Sequence, residues 1–148
     1  MLALQEISDR MELGMLLDTY AGAIDRIDMD LLDTVFTPDA WIDYTPFGGP
    51  AGPYPIIRAF LADEMSKYPA FQHLVANREI SIEGDRARGR IMCFNPLVLP
   101  EPRPDGAPRM AYIGLWYIDE YVRTDAGWRI ASRREEPSYM DGFAPPQA

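Results

Sequence analysis

The spacing of apolar residues changes from mainly helical to strand-like near residue 73, and this change limits the folds that the chain can adopt. Residues 4–27 carry apolar side chains at helical spacing, and shorter helical patterns follow at 28–36 and 55–68. From residue 73 onward the pattern alternates as in β-strands. Helices followed by strands are typical of an α+β fold with the helices packed on one face of the sheet.

Turn signals divide the second half into long strands. The pair Gly84 and Asp85 separates strands at 73–84 and 86–99, and the turn at 124–127 precedes a last strand at 128–136. A short strand is predicted at 40–45. We expect a strongly curved antiparallel sheet whose open face is crossed by the N-terminal helices, which leaves a cone-shaped pocket.

Composition excludes several classes of function. The length of 148 residues predicts a single domain over 1–148, and the net charge of −9 argues against nucleic-acid binding. No apolar run reaches the roughly 20 residues of a membrane span, so a cytoplasmic protein is predicted. A single cysteine, a single histidine and the absence of glycine-rich phosphate motifs predict no metal site and no cofactor.

His73 is the only histidine, and it stands among apolar residues in the stretch FQHLVAN. A lone histidine in such a setting is more often structural than catalytic. A neighbouring carboxylate would change this, because it fixes the tautomer and makes the other ring nitrogen a competent base. Asp25, at the end of the first helix, is the best candidate, although helical geometry places it about 120° from the apolar stripe.

Other side chains are candidates for the same pocket. Tyr20 and Tyr44 could donate hydrogen bonds to a substrate oxygen, and Asn77 follows His73 on the same strand face if no bulge intervenes. Strand alternation points Arg134 inward and Arg133 outward, unless a bulge reverses them. Bulky apolar residues could form either core or pocket walls. Those expected to contact substrate are Met92, Ile113, Leu115 and Tyr117.

These pieces together resemble the nuclear transport factor 2-like superfamily. The stretches TYAGAIDRIDMDLLDTVFTPDA, HLVAN and EYVRTDAGWRIASRR are similar to its SnoaL-like group, which includes scytalone dehydratase, bile acid 7α-dehydratase and hexachlorocyclohexane dehydrochlorinase. The final FAPP at 143–146 also resembles the dehydrochlorinase tail.

The resemblance implies a dyad of Asp25 and His73, with Arg133 as the arginine of the last strand. The dehydrochlorinase has a lysine five residues before the aspartate, whereas the dehydratases have tyrosine there, as this chain has Tyr20. The expected function is a cofactor-independent, dehydratase-like lyase that acts on a hydrophobic cyclic, aromatic or steroid-like molecule. An isomerase, an epoxide hydrolase and a non-catalytic binder of small ligands are the alternatives. Members of the superfamily usually associate through the outer sheet face, so a homodimer or homotrimer is expected.

Overall fold

The computed structural model describes residues 1–143. Its helices lie mainly in the first half of the chain. They are α1 (Leu4–Asp25), α2 (Met29–Leu32), a 3₁₀ turn (Thr45–Phe47) and α3 (Tyr54–Met65). The strands are β1 (Phe36–Asp43), β2 (Ala51–Pro53), β3 (Ala70–Phe71), β4 (Leu74–Glu83), β5 (Arg86–Val98), β6 (Met110–Thr124) and β7 (Gly127–Asp141).

All seven strands belong to one sheet in the order β2-β1-β7-β6-β5-β3, and β4 also pairs with β5. The α+β architecture and the curved sheet with helices across its open side are confirmed. The predicted hairpin at 84–85 is also present, with Glu83 opposite Arg86. The sheet is mixed rather than antiparallel, however, because β1 runs parallel to β7. Apolar spacing predicts that a strand exists but carries no information on the direction of its partner.

The core lies between α1 and the concave face of the sheet. Leu13, Leu17 and Ile24 of the predicted stripe are fully buried, and they pack in one cluster with Ile91 and Ile130 from the sheet. Strand β1 begins four residues earlier than predicted. Its pairing with β7 is irregular between Phe36 and Trp41, where Pro38 cannot donate a ladder hydrogen bond.

A buried carboxylate joins the start of α1 to the far end of the sheet. Asp9 is 3% exposed and accepts hydrogen bonds from Arg123 at 2.8 Å and from the indole nitrogen of Trp128 at 3.2 Å. The Arg123 guanidinium also lies over the Trp128 ring, 4.5 Å from its centroid. The hydrogen bond from Arg123 lowers the pKa of Asp9 from 3.8 to about 2. Asp9 therefore holds the start of α1 to the ends of β6 and β7.

No helix within residues 1–143 is long and apolar enough to cross a membrane. The cytoplasmic location and the homodimer or homotrimer stay predictions. Of the FAPP segment, residues 144–146 lie outside the described residues.

We expect Asp9→Asn to lower the free energy of unfolding by about 2 kcal/mol, because it weakens charge-assisted hydrogen bonds to Arg123. Urea denaturation at neutral pH measures this difference. The contribution of Asp9 is present above pH 3.8 and is lost as pH falls toward about 2, so the two proteins should converge in acid. Glu12→Gln is the matched control on the exposed face of α1. A variant as stable as the parent at neutral pH would contradict the anchoring role.

Candidate active site

The end of α1 delivers Asp25 to the rim of the sheet. The last helical turn is held by buried Ala23 and Ile24, while Asp25 keeps 27% of its side chain exposed. Ile27 takes a left-handed conformation with φ 53°, and its amide bonds back to Ile24 at 2.9 Å. Helices commonly end on such a residue, usually glycine. The helix therefore stops where its last carboxylate faces the sheet.

His73 lies in a break between β3 and β4, and not inside the long strand predicted from its neighbours. Both short β3 and long β4 pair with β5, and residues 72–73 separate them. Gln72 keeps this segment beside β5: its amide donates to Pro96, and its carbonyl accepts from the Asn95 side chain at 2.9 Å. The backbone of His73 is thus free to bind a partner outside the sheet.

That partner is Asp25. The carboxylate lies 2.8 Å from Nδ1 of His73, and it also accepts the backbone N–H of His73 at 3.0 Å and 3.1 Å through its two oxygens. Because the carboxylate accepts, Nδ1 carries the proton in the neutral ring, and Nε2 carries the lone pair. The ring is 10% exposed and makes edge contacts with Tyr20 and Phe71. Asp25 therefore sets both the orientation and the tautomer of His73.

His73 lines a cavity of about 220 Å³ inside the cone. The cavity walls combine apolar and aromatic side chains with a few polar groups, which is typical of sites for small molecules. Of the residues predicted to contact substrate, Tyr44, Ile113, Leu115 and Tyr117 line it.

Three phenols form the inner end of this cavity. The hydroxyl of Tyr20 lies 3.3 Å from that of Tyr44 and 3.4 Å from that of Tyr117. Burial raises the pKa of all three phenols, while the positive charge of Arg133 opposes this rise. The cluster therefore stays protonated at neutral pH and offers hydrogen-bond donors to an oxygen in the cavity.

Arg133, and not Arg134, points inward. Strand alternation fails here because Ile130 faces Tyr121 and Ser132 faces Glu120, so Ala131 is an extra residue in β7. The alternation argument was therefore wrong, and the reason is a bulge.

Arg133 does not line the cavity, although it was expected to act in it. Its fully buried guanidinium forms two hydrogen bonds with Asp119, at 2.7 Å and 2.6 Å. It lies over the rings of Tyr20 and Tyr117, 4.1 Å and 3.9 Å from their centroids. Arg133 therefore acts on the cavity by its charge, from behind these phenols, and not by contact with a ligand.

Two of the residues predicted to contact substrate, Asn77 and Met92, lie outside the cavity. Asn77 has φ 45° at an irregularity between Ala76 and Glu79, which ends the alternation that starts at His73. It is exposed, and its amide contacts Met92 sulfur at 3.7 Å. Neither residue lines the cavity, because Met92 alternates with inward-facing Ile91 and Cys93.

The sequence argument missed four polar residues of the cavity: Glu64, Tyr68, Asn95 and Glu135. Asn95 is 6% exposed, and it follows Cys93 on the inner face of β5. Glu135 lies two residues after Arg133 on β7. Strand alternation would have found Glu135 once the bulge placed Arg133 inward. Helix α3 adds walls that no motif indicated, including Phe60, Leu61 and Met65.

Cys93 is not available as a nucleophile beside His73. It is 1% exposed, and burial raises the pKa of its thiol to about 11. Within residues 1–143, no group of three or more His, Cys, Asp or Glu side chains could hold a metal ion.

Comparison with known proteins defines the family. The model of the SnoaL-like domain matches residues 5–134. An uncharacterised protein of Mycobacterium tuberculosis is 44% identical over 140 residues, which cover 95% of this chain and 92% of that protein. The chain therefore belongs to the SnoaL-like family and has the nuclear transport factor 2-like fold.

Solved structures agree with this fold. A protein of Kribbella flavida is 28% identical with a TM-score of 0.83, covering 92% of this chain and 95% of its own. A hexachlorocyclohexane dehydrochlorinase of Novosphingobium barchaimii is 18% identical with a TM-score of 0.78, covering 97% and 99% respectively. At that identity the second likeness shows the fold alone.

We expect Asp119→Asn to lower the free energy of unfolding by about 3–5 kcal/mol, because it leaves the buried guanidinium of Arg133 without its counter-charge. Thermal and urea unfolding measure the loss. Glu120→Gln changes the adjacent exposed carboxylate and is the matched control. Equal stability of the Asp119 variant and its control would contradict the prediction that Arg133 needs this counter-charge.

Proposed function

We propose that this protein is a cofactor-independent lyase, which removes water from a hydrophobic cyclic substrate that carries a carbonyl group. The observation that carries the proposal is the Asp25–His73 pair at the wall of an apolar cavity. His73 takes a proton from the carbon next to the carbonyl through Nε2. Such positioned base catalysis typically contributes roughly 10²–10⁴-fold in rate.

The phenol cluster supports the second half of this role. Proton loss from carbon places negative charge on the carbonyl oxygen, and preorganised donors stabilise that charge most when water is excluded. Tyr20 and its two phenol neighbours supply such donors. The guanidinium of Arg133, behind the rings, adds positive charge without contacting the substrate. Arg133 is thus a positioning and electrostatic residue in this mechanism.

The cavity size narrows the substrate class. Sites for drug-sized ligands typically enclose about 300–1,000 Å³. At about 220 Å³, this cavity favours a molecule of one or two rings over a four-ring steroid. Its aromatic and aliphatic walls favour an apolar ring system with few polar groups.

The geometry favours this function over the alternatives. A non-catalytic binder needs no contact between Asp25 and His73, whereas their separation is 2.8 Å. An isomerase or epoxide hydrolase with Asp25 as the reacting group needs a free carboxylate oxygen, but both oxygens bind His73. The fold shared with a dehydrochlorinase is consistent with an elimination.

Deuterium exchange tests the base directly, without the natural substrate. We expect the protein to exchange the hydrogens next to the carbonyl of unsubstituted decalone, a two-ring ketone, in D₂O. His73→Ala and Asp25→Asn should each slow this exchange by roughly 10²–10⁴-fold, because the first removes the base and the second its orienting partner. Mass spectrometry measures the deuterium gained.

The control is Asp18→Asn, on the same helix, whose carboxylate is 62% exposed and pairs with Arg78. It should exchange like the parent. Circular dichroism and thermal unfolding verify that each variant is folded. Exchange by His73→Ala at the parent rate would overturn the assignment of the base.

A further inference from the structure

Glu135 is a carboxyl group of the cavity, separate from the Asp25–His73 pair and from Glu64, which lines the same cavity. It lies on β7 in register with Tyr117 of β6, and it lines the cavity together with His73. Strand β7 is internal to the sheet, between β1 and β6. The carboxyl group is therefore carried by a rigid element and not by a loop.

The carboxyl group of Glu135 has no partner among residues 1–143. No hydrogen bond or ion pair holds it, and its oxygens are not sealed within protein. Glu64, the other carboxylate that lines the cavity, already binds Lys67 and Tyr68. Buried polar groups normally have partners, so an unpartnered one that faces a cavity is available to a ligand.

The surroundings of Glu135 favour its neutral form. Burial raises the pKa of Glu135 to about 8, the charge of Arg133 opposes the rise, and the charge of Asp43 adds to it. The carboxyl group is therefore mostly protonated at neutral pH. A general acid works best with a pKa near the working pH, whereas the buried phenols have a raised pKa and are weaker acids.

We propose that Glu135 is the general acid that protonates the departing hydroxyl group, an assignment that rests on the proposed elimination. His73 removes the proton from the carbon next to the carbonyl, and that electron pair forms the carbon–carbon double bond. The carbon–oxygen bond breaks with its electron pair on oxygen, and Glu135 gives its proton to that oxygen, which leaves as water.

The proton balance closes within the site. One turnover leaves His73 protonated and Glu135 ionised, so transfer of one proton from the first to the second restores both. The substrate loses one water molecule, and no oxidant or reductant is needed. The two carboxyl groups then have different roles because of their surroundings: Asp25 is held in hydrogen bonds, and Glu135 is kept neutral by burial.

Glu135→Gln tests this assignment, because glutamine keeps the size of the side chain but cannot give up a proton. The probe is decalone with a hydroxyl group on the carbon β to its ketone, and enone absorbance reports loss of water. We expect the variant to lose water roughly 10²–10⁴-fold more slowly than the parent. Deuterium exchange into unsubstituted decalone should stay near the parent rate, because it needs only His73, Asp25 and the phenols.

Two further measurements distinguish a general-acid role of Glu135 from a purely structural one. Decalone with chlorine at the β carbon should lose chloride at a similar rate in the variant and the parent, since chloride leaves without a proton. Glu136→Gln is the matched control: this neighbour points outward and pairs with Arg90 at 2.8 Å. It should leave all three rates unchanged.

The raised pKa of Glu135 predicts how the rate of water loss depends on pH. Loss of water in the parent should fall as pH rises through about 8, where Glu135 ionises, and the Glu135→Gln profile should lack this limb. Charged and titratable groups from every wall face Glu135 or share its cavity. They are Tyr20, Asp43, Tyr44, Glu64, Tyr68, His73, Tyr117 and Arg133.

Infrared difference spectroscopy tests the neutral acid without any substrate. The parent should show a carboxylic-acid band that disappears above pH 8 and is missing in Glu135→Gln. Spectra of parent and variant without this difference would overturn the proposal, as would loss of water by the variant at the parent rate. Equal slowing of water loss and exchange would also overturn it. Absence of exchange in the parent would instead contradict the role of His73, and the infrared result would still decide that of Glu135.

Discussion

The hydrogen bonds between Asp25 and His73 are the interaction on which the candidate site depends. One side chain at the end of α1 binds both the ring and the backbone of a residue in the sheet. The backbone contact replaces a ladder hydrogen bond and accounts for the break between β3 and β4. These hydrogen bonds therefore determine three features together: the position of the end of α1, the break between β3 and β4, and the tautomer of His73.

A buried ion pair between Arg133 and Asp119 lies behind the cavity and places a positive charge next to its phenols. Arg133 and Asp119 are both fully buried, and the guanidinium lies against the rings of Tyr20 and Tyr117. The cost of removing both charges from water offsets much of the attraction in such a pair, so its net contribution to stability is small. The pair does bring positive charge close to the phenols. The polar groups of the cone are thus layered: the phenols, His73 and Glu135 line the cavity, while Asp25 and the buried ion pair lie behind them.

Much of the fold follows from local pattern. The apolar stripe of α1, the hairpin at 84–85 and the long final strands each rest on neighbouring residues, which is why they are readable from sequence. The failures at Arg133 and Asn77 share one cause. The bulge at Ala131 and the irregularity between Ala76 and Glu79 each add one residue to a strand, and a one-residue shift moves every later side chain to the opposite face.

The sequence by itself determined the order of helices and strands, and it presented one histidine and a carboxylate at the end of a helix. Resemblance to a known family paired Asp25 with His73, although helical periodicity placed Asp25 toward solvent. Only the tertiary structure decided that Arg133 lies behind the phenols, that Asn77 and Met92 face outward and that Glu135 enters the cavity. The physical reason is that these outcomes depend on bulges and on the meeting of distant strands, which no local pattern of side chains records.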